Sequence, residues 1–196
     1  MRDHIKVVIG SILGDGSLKG FSKKAQASQI YVSQHSDKLP YLEWLHSKLE
    51  EGFEMNSIKP KKGYRQHYFM SKPDKVLGSL KKKFYQNDKK VIPFDMVELL
   101  KEPISLAVWY MDDGTLDKRS KYHFNASVAT YGFSFEGCSI LTEVLEKNFG
   151  IVASVNRSKM REKIYPRLYI KSESMERFVS LVKPFIHPVF NYKIGI

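Results

Sequence analysis

The chain is written twice, and no other feature limits its fold as strongly. Asp15-Gly16-Ser17-Leu18 returns as Asp113-Gly114-Thr115-Leu116, each time after an apolar run. The same order of segments follows both copies: basic and polar strands, an amphipathic helix, more basic strands, then a closing helix. The helix ending at Phe53 returns in one ending at Phe149, and Lys90-Val91-Ile92-Pro93 is echoed by Lys193-Ile194-Gly195. A repeat unit that opens with an apolar helix cannot bury it alone, so the two copies are expected to pack on each other.

Periodicity fills in each copy. Leu42, Leu45, Leu49 and Phe53 keep helical spacing through residues 38–53, as do Leu141, Val144, Leu145 and Phe149 through 134–149. The stretches 26–34, 56–71, 121–130 and 152–170 are rich in Tyr, Val, Ile, Ser and Thr and alternate as strands do, with Lys62-Gly63 as a hairpin turn. The expected fold is therefore α+β, two tandem α-β-β-α-β-β-α repeats related by a pseudo-twofold axis, each with an antiparallel sheet. Residues 1–83 form the first repeat, 84–102 a connector carrying Pro93, and 103–196 the second repeat.

The two opening helices carry the chemistry. Val8–Gly16 reads VIGSILGDG and Leu106–Gly114 reads LAVWYMDDG, apolar nearly all round, so both are expected to be buried. Asp3 is a candidate N-cap for the first, and Pro103 suits the first turn of the second. Gly10 and Gly14 share one face, where a glycine costs about 1 kcal/mol against alanine, so close helix packing is the expected reason. An aspartate at a helix C-terminus faces the negative end of the dipole. If the helices lie side by side in parallel, Asp15 and Asp113 converge, and two close carboxylates stay ionised cheaply only around a cation. Magnesium, a hard ion satisfied by carboxylates, water and phosphate oxygens, is the expected partner.

Charge narrows the setting. Among 196 residues, 32 Lys and Arg face 21 Asp and Glu, a net +11 that favours a polyanion. The single cysteine, Cys138, excludes an internal disulfide and a cysteine zinc cluster, and reads as a small buried residue of a helix. The N-terminal apolar run is too short and too charged for a signal peptide or membrane span, so an intracellular location and no membrane partner are expected. No Ser-His-Asp or Cys-His arrangement is convincing, and the six histidines show no metal-ligand spacing.

The two apolar segments resemble the motif that names the LAGLIDADG homing endonucleases. The first matches at Gly10, Ile12, Asp15 and Gly16, the second at Leu106, Ala107, Asp113 and Gly114, and the resemblance extends over essentially the whole chain. The segment KKVIPFDMV through SLAVWYMDDG looks like the branch of monomeric, intron-encoded enzymes. The resemblance implies a site-specific double-strand DNA endonuclease that binds metal through Asp15 and Asp113, with Mg2+ as cofactor and Mn2+ as a substitute. It implies two-metal hydrolysis across the minor groove, leaving short 3′ overhangs. It also places Lys90 and Lys193 near the metals, to activate or position water. Gly14 and Asp112 complete the candidate metal set as the residues preceding each acid; Asp112 departs from the register of Gly14 and reads as a non-equivalent acid at the helix end. Val108 and Met111 are bulkier than the small residues usual at this helix contact.

The two sheets are expected to form a saddle that reads DNA in the major groove, where Arg and Lys pair with guanine and Asn or Gln with adenine. The candidates in the first repeat are Lys19, Lys23, Lys24, Gln26, Gln29, Lys59, Lys61, Lys62, Arg65 and Gln66. In the second they are Lys118, Arg119, Lys121, Asn125, Asn156, Arg157, Lys159, Arg161 and Arg167. Lysines in turns are expected to touch phosphate, and Tyr31, Tyr64 and Tyr165 to pack within the strands. The expected partner is a long, asymmetric duplex bound by a monomer. The alternative is an RNA maturase that assists intron splicing, a role that retention of both acids disfavours without excluding a dual function. No splicing junction residues frame the chain, so an intact intein is not expected.

Overall fold

The computed structural model describes residues 2–22, 24–120 and 123–196; for Arg119, Ser120 and His123 it describes the backbone alone. The first repeat runs α1 (Asp3–Leu13), β1 (Ser17–Ser22), β2 (Ala27–His35), α2 (Leu39–Glu50), β3 (Lys59–Pro60), β4 (Gln66–Met70) and α3 (Lys75–Phe84). A short hairpin, β5 (Tyr85–Gln86) and β6 (Lys89–Lys90), and one turn of helix, α4 (Met96–Leu99), lead onward. The second repeat runs α5 (Pro103–Asp113), β7 (Gly114–Ser120), β8 (His123–Ala129), α6 (Phe135–Phe149), β9 (Ala153–Met160), β10 (Lys163–Ile170) and α7 (Met175–Val182). Both four-stranded sheets are antiparallel with the same topology, β1-β2-β4-β3 and β7-β8-β10-β9, so the expected doubling is realised strand for strand.

Local chemistry sets most boundaries as the sequence anticipates. Pro103 opens α5, the Ser134 hydroxyl caps α6 by accepting from the Gly137 N–H, and Gly150 ends it in the left-handed region. Lys62-Gly63 turns between β3 and β4, with Gly63 at φ +80°. One expectation fails by a residue. The N-cap of α1 is Arg2, and Asp3 lies inside the first turn, where its carboxylate pairs with Lys6 at 3.0 Å. There it meets the positive end of the helix dipole, and an ion pair one turn along takes the place of a capping bond.

α1 and α5 are the keel. Val7, Val8, Ile9, Ile12 and Leu13 of one, and Leu106, Ala107, Val108, Trp109, Tyr110 and Met111 of the other, are fully buried. Burying a side chain of this size contributes about 1.5–3 kcal/mol. The helices meet at Gly10, where a Cβ would stand 2.4 Å from the Ser105 carbonyl oxygen and 2.8 Å from the Val108 Cβ. Val108 therefore fits because glycine faces it: the bulk is on one helix and the space on the other. The Ser105 hydroxyl ties the pair by donating to the Lys6 carbonyl at 2.8 Å. Ile30 and Val32 of β2, with Ala126 and Val128 of β8, cover the keel from the sheets, and Cys138 is a buried residue of α6 as expected.

Candidate active site and nucleic-acid face

Parallel packing brings the C-terminal ends of α1 and α5 together, and with them the candidate acids. Gly14 closes α1 and Asp15 follows it exposed, whereas Asp113 is the last residue of α5 and half-buried. The two ends are stitched across the pseudo-twofold axis, because the Asp15 backbone N–H donates to the Asp112 carboxylate at 3.1 Å. Gly14 makes room for that carboxylate; a Cβ there would stand 2.5 Å from its Oδ2.

Two residues that sequence reasoning missed complete the cluster. Gln34 of β2 donates from Nε2 to Asp15 Oδ2 at 2.8 Å and to Asp112 Oδ1 at 3.3 Å. Tyr41 of α2 donates its hydroxyl to Asp112 Oδ1 at 2.9 Å. The sequence held one signal: Gln34 shares inward parity with Ile30 and Val32, so a polar amide stands where β2 otherwise points apolar side chains at the core. Tyr41, on the first turn of an amphipathic helix, carries no such mark.

Both lysines lie beside the acids. Lys90 donates to the Gly14 carbonyl at 2.8 Å, and Lys193, buried, donates to the Met111 carbonyl at 2.5 Å and reaches the Asp112 carbonyl at 3.5 Å. Each half thus aims one amine at the backbone beside its acid. Tyr110 holds the second arrangement by donating to the Lys193 carbonyl at 2.8 Å. Asp112, Asp113, Tyr192 and Lys193 line a recess of about 400 Å3 beside the second acid.

Electrostatics mark this cluster. Burial, and then the neighbouring Asp15, raise the Asp113 carboxyl to about 7. Burial pushes Lys193 down to about 8, helped by Lys38, and lowers Lys90 as well. Burial and then Asp15 hold the Asp112 carboxyl well above the carboxylate range, and burial with Asp112 raises the Tyr41 phenol. Acids raised by burial and by one another, beside amines lowered by burial, form a region where charge is held at a cost. Hard oxygen donors at two negative helix ends suit a divalent cation.

Strand parity sorts the expected nucleic-acid contacts. Lys19 pairs with Gln29, Lys59 with Tyr68, and Gln66 with His35, which puts Lys19, Lys59, Gln29 and Gln66 on the open face of the first sheet. Asn156 pairs with Arg167, and Asn125 with Asp117, on the open face of the second. Lys24, Gln26, Lys61, Lys62, Arg65 and Arg161 lie in or beside the turns at the sheet ends. Lys118, Arg157 and Lys159 alternate onto the other side: Lys118 lies over Phe124, and Arg157 over Phe135 of α6. Lys23 and Lys121 lie outside the described residues, as does the side chain of Arg119. Tyr31 packs on Tyr68 at 5.5 Å and Tyr165 on Tyr131 at 5.7 Å, whereas Tyr64 is largely exposed under Lys61.

Two open basic sheets flanking a paired acidic centre define an enzyme that cuts a nucleic-acid duplex. Comparison with known proteins gives it a family. Residues 5–178 match the LAGLIDADG DNA endonuclease family, and the chain belongs to it. It is a site-specific DNA endonuclease of the homing type. The structure superposes on the homing endonuclease I-WcaI bound to its DNA recognition sequence with a TM-score of 0.80 and 25% identity, covering 99% of this chain and 86% of that one. The intron-encoded endonuclease ai4 of Dictyostelium discoideum is 27% identical over 69% of this chain and 80% of its own length. The cytochrome b mRNA maturase bI2 of Debaryomyces hansenii is 27% identical over 99% of this chain and 74% of its own. Among the described residues no helix is long and apolar enough to cross a membrane.

Proposed function

We propose that the chain, acting as a monomer, hydrolyses both strands of one long, asymmetric DNA site, with Asp15 serving one strand and Asp113 the other and short 3′ overhangs left behind. One observation carries this reading: two acids from two symmetry-related helices meet at one point, each beside a lysine that donates to the adjoining backbone, between two basic sheet faces. Asp15 and Asp113 would hold divalent ions, Mg2+ first and Mn2+ as a substitute. When bound, such ions neutralise charge on the scissile phosphate and make a hydroxide nucleophile available at neutral pH. Gln34 restrains the Asp15 carboxylate by donating to Oδ2, which leaves Oδ1 available to an ion. Lys193, lowered to about 8, exists partly as the free amine near neutral pH and can take a proton from the attacking water; Lys90 has the matching place in the first half. The open-face residues Lys19, Gln29, Gln66, Asn125, Asn156 and Arg167 would contact bases, and the turn lysines the phosphates.

A randomised duplex library incubated with the protein in magnesium, followed by sequencing of the ends, tests the reading. A long consensus with cohesive 3′ ends, lost or reduced to nicking in Asp15→Asn and Asp113→Asn, supports it; intact library ends refute it. The name of the Debaryomyces relative favours a second reading, assistance to intron RNA splicing. Binding of duplex DNA without cleavage in magnesium or manganese, together with accelerated splicing of a cognate intron transcript, would favour that role.

A further inference from the structure

The pseudo-twofold axis relates the helices and sheets but not the polar cluster around the acids. Ser17 of β1 pairs with Tyr31, and its equivalent Thr115 of β7 pairs with Ser127, so the register makes Thr130 the counterpart of Gln34. The Thr130 hydroxyl is turned into the sheet, where it donates to the Pro166 carbonyl at 2.9 Å. Aligning Phe53 with Phe149 places Gly137 opposite Tyr41, and the motif places Asp112 opposite Gly14. The first acid therefore has an amide partner, Gln34, and a backbone tie to Asp112, and among the described residues the second has no counterpart to either.

Asp112 is the hub of that difference. Its carboxylate belongs to the second half but crosses the helix pair and accepts three hydrogen bonds from the first half. Oδ2 takes the Asp15 N–H, and Oδ1 takes the Tyr41 hydroxyl and the Gln34 amide. The Gln34 Nε2 is thereby shared between Asp112 and Asp15, so the position of Asp112 decides where the amide stands against the first acid. Gly14 supplies the space, since any Cβ there would displace the carboxylate.

We propose that the Asp112 side chain is a positioning residue for the opposite half: it seats the Gln34 amide on Asp15, and so makes the two cleavage centres unequal. This rests on the reading that Asp15 and Asp113 each serve one strand. The wild type then cuts one strand ahead of the other, passing through a nicked intermediate. Removing the hub slows only the strand served by Asp15.

The test uses a cognate duplex with differently labelled strands and single-turnover rates for each. Asp112→Ala and, more conservatively, Tyr41→Phe are expected to slow one strand by about ten- to a hundredfold, the rate equivalent of one hydrogen bond to a charged group, with DNA affinity unchanged. That strand is the one that Gln34→Ala slows, and Asp112→Ala combined with Gln34→Ala is no slower than Gln34→Ala alone. In metal-free protein, the Gln34 side-chain amide resonances, assigned by their loss in Gln34→Ala, shift in Asp112→Ala and move less in Tyr41→Phe. Equal slowing of both strands, multiplication of the two effects, or an unmoved Gln34 amide overturns the proposal. If the wild type cuts neither strand, the functional reading fails instead, and the amide resonances still decide whether Asp112 seats Gln34.

Discussion

Alanine at Gly10 probes the contact on which the whole site depends. Its Cβ would stand 2.4 Å from the Ser105 carbonyl oxygen, against the 3.4 Å of ordinary contact, and 2.8 Å from the Val108 Cβ. Both obstacles are rigid, one a helix backbone and the other the first atom of a β-branched side chain, so α1 and α5 must part by about an ångström. Overpacking of this kind costs about 1–3 kcal/mol, and the better helix propensity of alanine returns about 1 kcal/mol. A net loss of up to about 2 kcal/mol lowers the melting temperature of a chain this size by up to roughly 8 °C. Activity is expected to suffer more, because the same displacement separates Asp15 from Asp112 and Asp113, and misplacement by about an ångström can cost a hundredfold in rate. Calorimetry and single-turnover cleavage of Gly10→Ala measure the two effects. Gly132→Ala is the control, since its Cβ meets nothing within 4 Å. A Gly10→Ala protein as stable and as fast as the wild type would refute close helix contact as the device that assembles the site.

Four further outcomes follow from the charges. Asp113 stands at about 7 in the fold against 3.8 unfolded, so the stability it contributes is full below about pH 4 and lost as the pH rises through 7. At 1.36 kcal/mol per pH unit the effect is bounded at about 4 kcal/mol, and water on the open side of the site reduces it to roughly 2. The melting temperature of chelator-treated protein is therefore expected to fall from about pH 5 to pH 8, and Asp113→Asn to flatten that fall, as thermal scans across pH would read. Saturating magnesium should raise the melting temperature of the wild type near pH 8, and raise that of Asp113→Asn by less. Lys193→Met is expected to remove the limb of the cleavage pH profile near 8 and about 10²–10⁴ of the rate, with DNA affinity held, in single-turnover assays. Finally, Lys24→Ala and Lys62→Ala, in the turns at the sheet ends, should each reduce the slope of log affinity against log salt by about one, whereas Arg157→Ala, on the helix side, should not.

The sequence by itself determined the doubled architecture, because Asp-Gly-Ser-Leu and Asp-Gly-Thr-Leu recur with the same string of elements behind them and apolar periodicity is a local property of the chain. It also marked the two candidate acids, since an aspartate at the end of a buried helix is unfavourable enough to need a reason, and the duplication supplied one twice. Lys90 and Lys193 were legible only through the family resemblance and their matched positions: among 32 basic residues nothing local distinguishes them, and their hydrogen bonds to the backbone beside the acids are a tertiary fact. The tertiary structure alone decided which basic residues share an open face, because alternation carried Arg157 and Lys159 to the helix side, and a shift of one residue exchanges the faces of a strand. It alone placed Gln34, Tyr41 and Asp112 around Asp15. Asp112 lies 71 residues from Tyr41 and 78 from Gln34, and its hydrogen bonds to them exist only once glycine at 14 lets a carboxylate from one half cross into the other.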